Sequence, residues 1–205
     1  MLLHRKPSEE VVREFIASQR DLPFSYAQVG ATQSQPPSDY KVDHNRVKLG
    51  SGKETYARAV AALKQWKQFE LGWVTIVPRN QPLEVGTIVA VQATIFGLWW
   101  LNAARIVYVV DEDVEQVARF GFAYGTLPDH VERGEERFMA EWRKEDDSVW
   151  YDIYAFSQPR HPLTKIGFPL TRALQAQFVR DSQTAMKEEV REQKSEVRKE
   201  LTADL

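Results

Sequence analysis

From residue 73 onward the chain is cut into β-branched and aromatic runs separated by short, turn-rich connections, and this limits its possible folds more than any other feature. Six runs, 73–77, 87–95, 98–110, 116–126, 135–143 and 149–157, carry the Val, Ile, Thr, Trp, Tyr and Phe enrichment of strands. The connections at 96–97 and 111–113 are too short for the crossover that parallel strands require, so successive runs are expected to pair as an antiparallel meander. Helical periodicity brackets the block. Before it, Tyr56, Val60 and Leu63 recur at helical spacing with Trp66 nearby; beyond Pro159 and Pro162, Leu170, Leu174, Phe178 and Ala185 form one stripe, with Pro169 at a helix start or kink. A further strand, YKVDHNRVKLG, precedes the first of these helices. The expected class is α+β: a curved antiparallel sheet of about six to seven strands gripping a long C-terminal helix, an arrangement that can leave a small-molecule cavity between them.

The periphery reads differently. Residues 7–19 predict a helix with Ser8 as cap, Glu9 and Glu10 in its first turn, and Val11, Val12, Phe15 and Ile16 as an apolar stripe. We therefore expect an N-terminal helical extension over 1–20, one domain over 21–186 and a charged helical tail over 187–205. In the tail, Val190, Val197 and Leu201 form a sparse stripe that would suit a short coiled coil with a protein partner. A formal charge of −2 argues against a nucleic-acid partner, and the absence of cysteine excludes disulfides, thiolate zinc and a cysteine nucleophile. No apolar run approaches the ~20 residues of a membrane span. The start, MLLHRKPSEEVVREF, turns polar after Leu3 and lacks the apolar core of a secretory signal, so a cytoplasmic protein is expected.

One stretch, LGSGKETYARAV, invites a phosphate-binding reading and fails it. A Walker loop needs glycine where Val47 stands and a hydroxyl where Glu54 stands, and a dinucleotide fingerprint lacks its third glycine. Gly50 and Gly52 read instead as a turn, with Ser51 as cap of a helix beginning near Lys53. No cofactor is implied. His4, His44, His130 and His161 are scattered, the acidic run DHVERGEE suits a hairpin, and no metal site is expected. No Gly-x-Ser-x-Gly elbow is present for a serine nucleophile.

Strand parity organises the remaining polar residues. In DHNR, Asp43 and Asn45 share one face while His44 and Arg46 share the other, so the four converge on one ligand only if the strand is bulged. His44 beside Asp43 is a candidate general base, or part of a structural ion pair. Asn102 lies with Trp100, Ala104 and Ile106, whereas Arg105 lies with Leu101, Ala103, Val107 and Val109. Glu136 shares a face with Phe138, Ala140 and Trp142. Arg105 either pairs with Glu136 across the sheet or clamps an acidic ligand head. Tyr124, Thr126, Tyr151, Tyr154 and Ser157 add hydroxyls that orient a ligand or satisfy backbone groups. Trp99 and Trp100 point to opposite faces, so at most one enters a given pocket.

The ordered blocks SYAQVGAT, DHNRVKLGSGKETYARAVAALKQW, FELGWV, LNAARIVYVVDE, FGFAYGTLPDHVERGEERF, DDSVWYDIYAFSQP and FPLTRALQAQFVRDS together resemble the family named domain of unknown function 1990, or uncharacterised protein family 0548, over residues 24–186. The strand order and closing helix are also similar to the helix-grip architecture of the START and birch-pollen-allergen superfamily. That likeness implies lipids, sterols, polyketides or other apolar molecules held between sheet and helix, with some members acting as cyclases or oxygenase subunits. The expectation is a non-enzymatic protein binding a small apolar or amphipathic molecule, with Asn102, Arg105, Tyr124, Glu136 and Tyr151 nearest its polar end. One alternative is a cyclase- or hydrolase-type enzyme using His44, Asp43 or Glu136; another is an interaction module acting through the C-terminal helix.

Overall fold

The computed structural model describes residues 1–160 and 168–203. In chain order the elements are β1 (Leu2–Leu3), α1 (Glu9–Ser18), β2 (Lys41–Ser51), α2 (Lys53–Lys64), β3 (Val74–Val77), β4 (Ile88–Ile95), β5 (Leu98–Asp113), β6 (Val117–Thr126), β7 (Glu132–Arg143), β8 (Ser148–Pro159) and α3 (Phe168–Ala203). The sheet runs β2-β8-β7-β6-β5-β4-β3, antiparallel throughout, with the two-residue β1 added beside β5. The expected meander is thus present from β3 to β8, and the early strand β2 closes its free edge. Bulges between Lys48 and Gly50 and between Ile106 and Tyr108 bend the two long strands.

One face of this sheet carries the main core. Ala59, Ala62 and Leu63 of α2 meet Phe122, Phe138 and their neighbours there, and α3 adds Met186 and Val190. The stripe on α3 differs from the one expected. Ser182 and Met186 are fully buried, whereas Leu170 is 45% exposed. A stripe chosen by apolar residues alone passes over Ser182, whose hydroxyl is satisfied inside the core by Tyr151 at 2.9 Å. Val190, part of the stripe assigned to a partner, is buried in this core, while the side chains of Val197 and Leu201 lie outside the described residues, as do His161 and Pro162.

The bulge in β5 also corrects a parity assignment. Up to Ile106 the strand alternates as expected, but the extra residue turns Tyr108 to the outer face and returns Val109 to the main core. The helix cap is corrected too. Ser51 still pairs with Ser148 in the sheet, and Gly52, at φ 91°, caps α2 while its N–H donates to the Asp147 carbonyl at 2.9 Å. Ser8 caps α1 as expected, accepting from the Val11 N–H at 3.3 Å.

The opposite face is covered by α1, whose Val12 and Phe15 pack on Ala90, Leu101 and Ala103, and by residues 22–40. Glu135, 2% exposed, holds that second segment: it accepts from the Tyr26 hydroxyl at 2.6 Å, the Gly30 N–H at 2.7 Å, the Thr32 N–H at 3.0 Å and the Thr32 hydroxyl. Gly125 permits the close approach, since a Cβ there would stand 2.2 Å from the Tyr26 hydroxyl. Replacing Glu135 with Ala strands several buried donors and is expected to cost about 2–4 kcal/mol. The urea midpoint should fall accordingly, and limited proteolysis should move to residues 22–40. An unchanged midpoint would mean that the aromatic contacts alone hold the segment.

Candidate functional site

Antiparallel register builds the site as a row across four strands. Asp43 of β2 pairs with Ala155 of β8, Ala155 with Glu136 of β7, and Glu136 with Tyr124 of β6. All four point to the main-core face, and Ala155, the smallest of them, leaves a low floor between the two carboxylates. Above this floor α3 changes character. From Phe178 onward it packs on the core, with the Phe178 ring 5.2 Å from Phe69, whereas its preceding turns present Arg172 and Gln175. Between those turns and the sheet lies a pocket of about 640 Å³. Its apolar wall includes Phe69, Trp73, Val91, Ile95 and Trp100, and its polar end is the row just described.

The polar end is joined across the pocket by side chains of α3. The Arg172 guanidinium donates to both oxygens of Asp43, at 2.6 and 2.7 Å, and to Gln175 Oε1 at 2.6 Å. Gln175 Nε2 in turn donates to Glu132 at 2.6 Å and to Ser157 at 3.2 Å. The Tyr124 hydroxyl donates to Glu136 Oε2 at 2.7 Å. Burial pushes the Glu136 carboxyl up to about 7, outweighing the Tyr124 hydrogen bond, and the nearby Glu132 and Asp43 charges act in the same upward direction. Burial also raises Glu132, against the hydrogen bond from Gln175 and the charge of Arg172, and it pushes the Tyr124 hydroxyl well above its ordinary range.

Asn102, Tyr124 and Glu136 line this pocket, as does Asp43. Tyr151 shares their face but is fully buried, its hydroxyl occupied by Ser182. Arg105 stands elsewhere. The alternation of β5 places it on the outer face, where it donates to the Gln19 carbonyl at 3.1 Å and the Arg20 carbonyl at 2.7 Å, and so the Arg105–Glu136 pair does not form. His44 likewise faces away from Asp43: its Nε2 lies 2.6 Å from Asp152, which also receives Arg137 at 2.8 Å. Arg46 joins the adjoining ion pairs on Glu141. Burial would raise Glu141, but hydrogen bonds from Arg119, Arg46 and Arg143 hold it down at about 2. Among the described residues no group of three or more His, Asp or Glu is arranged to hold a metal ion.

Three participants, Glu132, Arg172 and Gln175, were not among the sequence candidates. The available signal was helical spacing: Arg172 and Gln175 lie three apart and continue into Phe178, on the face that meets the sheet.

The raised Glu136 has a consequence for stability. Its folded value of about 7 lies above the ordinary 4.5, so its contribution is fully present below pH 4.5 and is lost as pH rises through 7. Glu136→Gln keeps an acceptor for Tyr124 without the charge. We expect it to match the parent at pH 4 and to exceed it by about 1–3 kcal/mol at pH 8. Denaturant melts across this range check the sign, and a parent curve already parallel to that of the variant would refute the buried charge.

The family model described as Domain of unknown function (DUF1990) matches residues 25–185. A UPF0548 protein of Dictyostelium discoideum is 40% identical over 199 residues, covering 89% of this chain and 92% of its own. A UPF0548 protein of Deinococcus radiodurans is 35% identical over 193 residues, covering 88% and 94%. Among solved structures, human STARD10 matches with a TM-score of 0.48 at 11% identity, over 97% of this chain and 86% of that one. A START superfamily protein from Mycobacterium smegmatis matches with a TM-score of 0.45 at 15% identity, over 74% and 97%.

Proposed function

Because the chain belongs to the family described as Domain of unknown function (DUF1990), whose name carries no reaction, we propose its function from the pocket itself: it binds one small amphipathic molecule between sheet and helix. The observation that carries this reading is a space of about 640 Å³, apolar on one side and polar at one end, well inside the size range of small-molecule sites. The apolar body of the ligand lies along Phe69, Trp73, Val91 and Trp100, and its polar end meets Asn102, Tyr124 and Glu136. No described helix is long and apolar enough to cross a membrane.

Native mass spectrometry of the gently purified protein, followed by denaturation, is the direct test. A one-to-one small-molecule adduct is expected. Ala155→Phe, which fills the floor between Asp43 and Glu136, should remove the adduct while keeping a cooperative melt. An adduct that survives this substitution would place the ligand elsewhere and reject the pocket.

A second reading rests on Glu136 alone. A carboxyl held near 7, hydrogen-bonded to Tyr124 and facing a pocket, is suited to general acid–base work. In an enzyme of cyclase or hydrolase type Glu136 takes that role with Asp43 nearby, and His44, on the outer face, does not. Turnover of any substrate found should then be lost in Glu136→Gln and kept in His44→Ala; the opposite pattern would reject the assignment.

A further inference from the structure

The charges around the pocket narrow its occupant to a chemical class. Resting on the reading of this space as a small-molecule site, we propose that the ligand carries a protonated amine on an apolar body, and that the amine docks on Glu136 Oε1. Three observations converge on this.

The first is the balance of charge. Asp43, Glu132 and Glu136 all line the pocket, and the described cationic lining residues are Arg172 and Arg180. Arg172 is already occupied, with both terminal nitrogens on Asp43 and one also on Gln175. Arg180 is exposed. An anionic head would therefore meet Glu132 and Glu136 with no unoccupied buried guanidinium to offset them, a repulsive arrangement in a partly desolvated space.

The second is an open valence. Glu136 lines the pocket; its Oε2 accepts from Tyr124, while Oε1 takes no hydrogen bond from the described residues. The neighbouring Glu135 shows the contrast, since both of its oxygens are filled by donors of the outer segment. A half-buried carboxylate with one donor and no ion pair among the described residues can take an ammonium group as its counter-ion.

The third is the partition of the pocket. Its apolar wall, with Phe69, Trp73 and Trp100, can take an alkyl or aryl body, and these rings can also stabilise a cation held near their faces. A neutral alcohol would fill the same open valence but gain no charge pairing, so an amine should bind about tenfold more tightly than the matching alcohol.

The upward displacement of the Glu136 carboxyl fits this assignment, because burial without a cation produces it and a bound ammonium reverses it. The groups bearing on Glu136 are Tyr124 on β6, Glu132 on its own strand, Asp43 on β2, Tyr151 on β8 and, through Glu132, Arg172 on α3. Amine binding near pH 7 should therefore release a fraction of a proton.

The test is calorimetric titration of the full chain with 4-phenylbutylamine, 4-phenylbutan-1-ol and 4-phenylbutanoate at pH 7, in two buffers of different ionisation enthalpy. The amine should bind about tenfold more tightly than the alcohol, the carboxylate should bind most weakly, and only the amine should release protons. In Glu136→Gln the ratio of amine to alcohol affinity should fall to about one with the proton release gone, while Glu54→Gln, on an exposed position of α2, should keep the parent ratio. An alcohol that binds as well as the amine, or a carboxylate that binds best, would overturn the amine assignment and leave the pocket reading standing. Failure of all three probes to bind would reject both.

Discussion

The pairing of β2 with β8 is the constraint on which the rest of the structure depends. It joins segments about a hundred residues apart, so its loop-closure cost is offset only once the intervening strands are in place. Its register also decides what the pocket contains. With Asp43 opposite Ala155, Asp43 and Asn45 face the pocket while His44 and Arg46 face the ion pairs around Asp152 and Glu141. A slip of one residue would exchange the two sets, placing a guanidinium against the apolar wall and leaving Asp152 and Glu141 short of partners. Both sides of the strand therefore enforce one register.

Adjacent glutamates on β7 show how one residue type serves structure or site according to its donors. Glu135 points outward, is almost fully buried and is saturated by Tyr26, Gly30 and Thr32. Glu136 points inward and receives one donor. Of the two, Glu136 is left with fewer donors, on the face that carries the pocket. Glu135 is buried and Glu136 half-buried, and the count of donors separates them further.

Much of this was legible in the sequence wherever strand parity was the deciding physics. Asp43 and Asn45 apart from His44 and Arg46, Asn102 apart from Arg105, and Trp99 apart from Trp100 all follow from a period of two. Parity stopped being informative at the β5 bulge, which displaces Val109 without any glycine or proline to announce it. It was also silent about partners. Whether Arg105 met Glu136 depended on two independent strands sharing a face, and they do not. The roles of Arg172 and Gln175 required knowing how α3 lies over the sheet, which helical spacing leaves undetermined by a rotation and a slide.

That placement divides α3 into two halves with different physics. Ser182, Met186 and Val190 are buried in the main core, where each side chain withdrawn would open a cavity. Arg172 and Gln175 hold the preceding turns by polar contacts, and the Arg172 and Asp43 side chains remain 30% and 31% exposed. Pairs that stay in contact with water contribute little net stability, commonly about 0–1 kcal/mol, because hydration competes with each contact. The helix is therefore anchored by Ser182, Met186 and Val190, and tied more lightly where Arg172 and Gln175 cover the pocket. Loosening the covering turns would leave the contacts of Met186 and Val190 with the core in place, and the sheet beneath, braced on its other face by Glu135 and the segment it holds, fixes the register of Asp43, Ala155, Glu136 and Tyr124 independently of those turns.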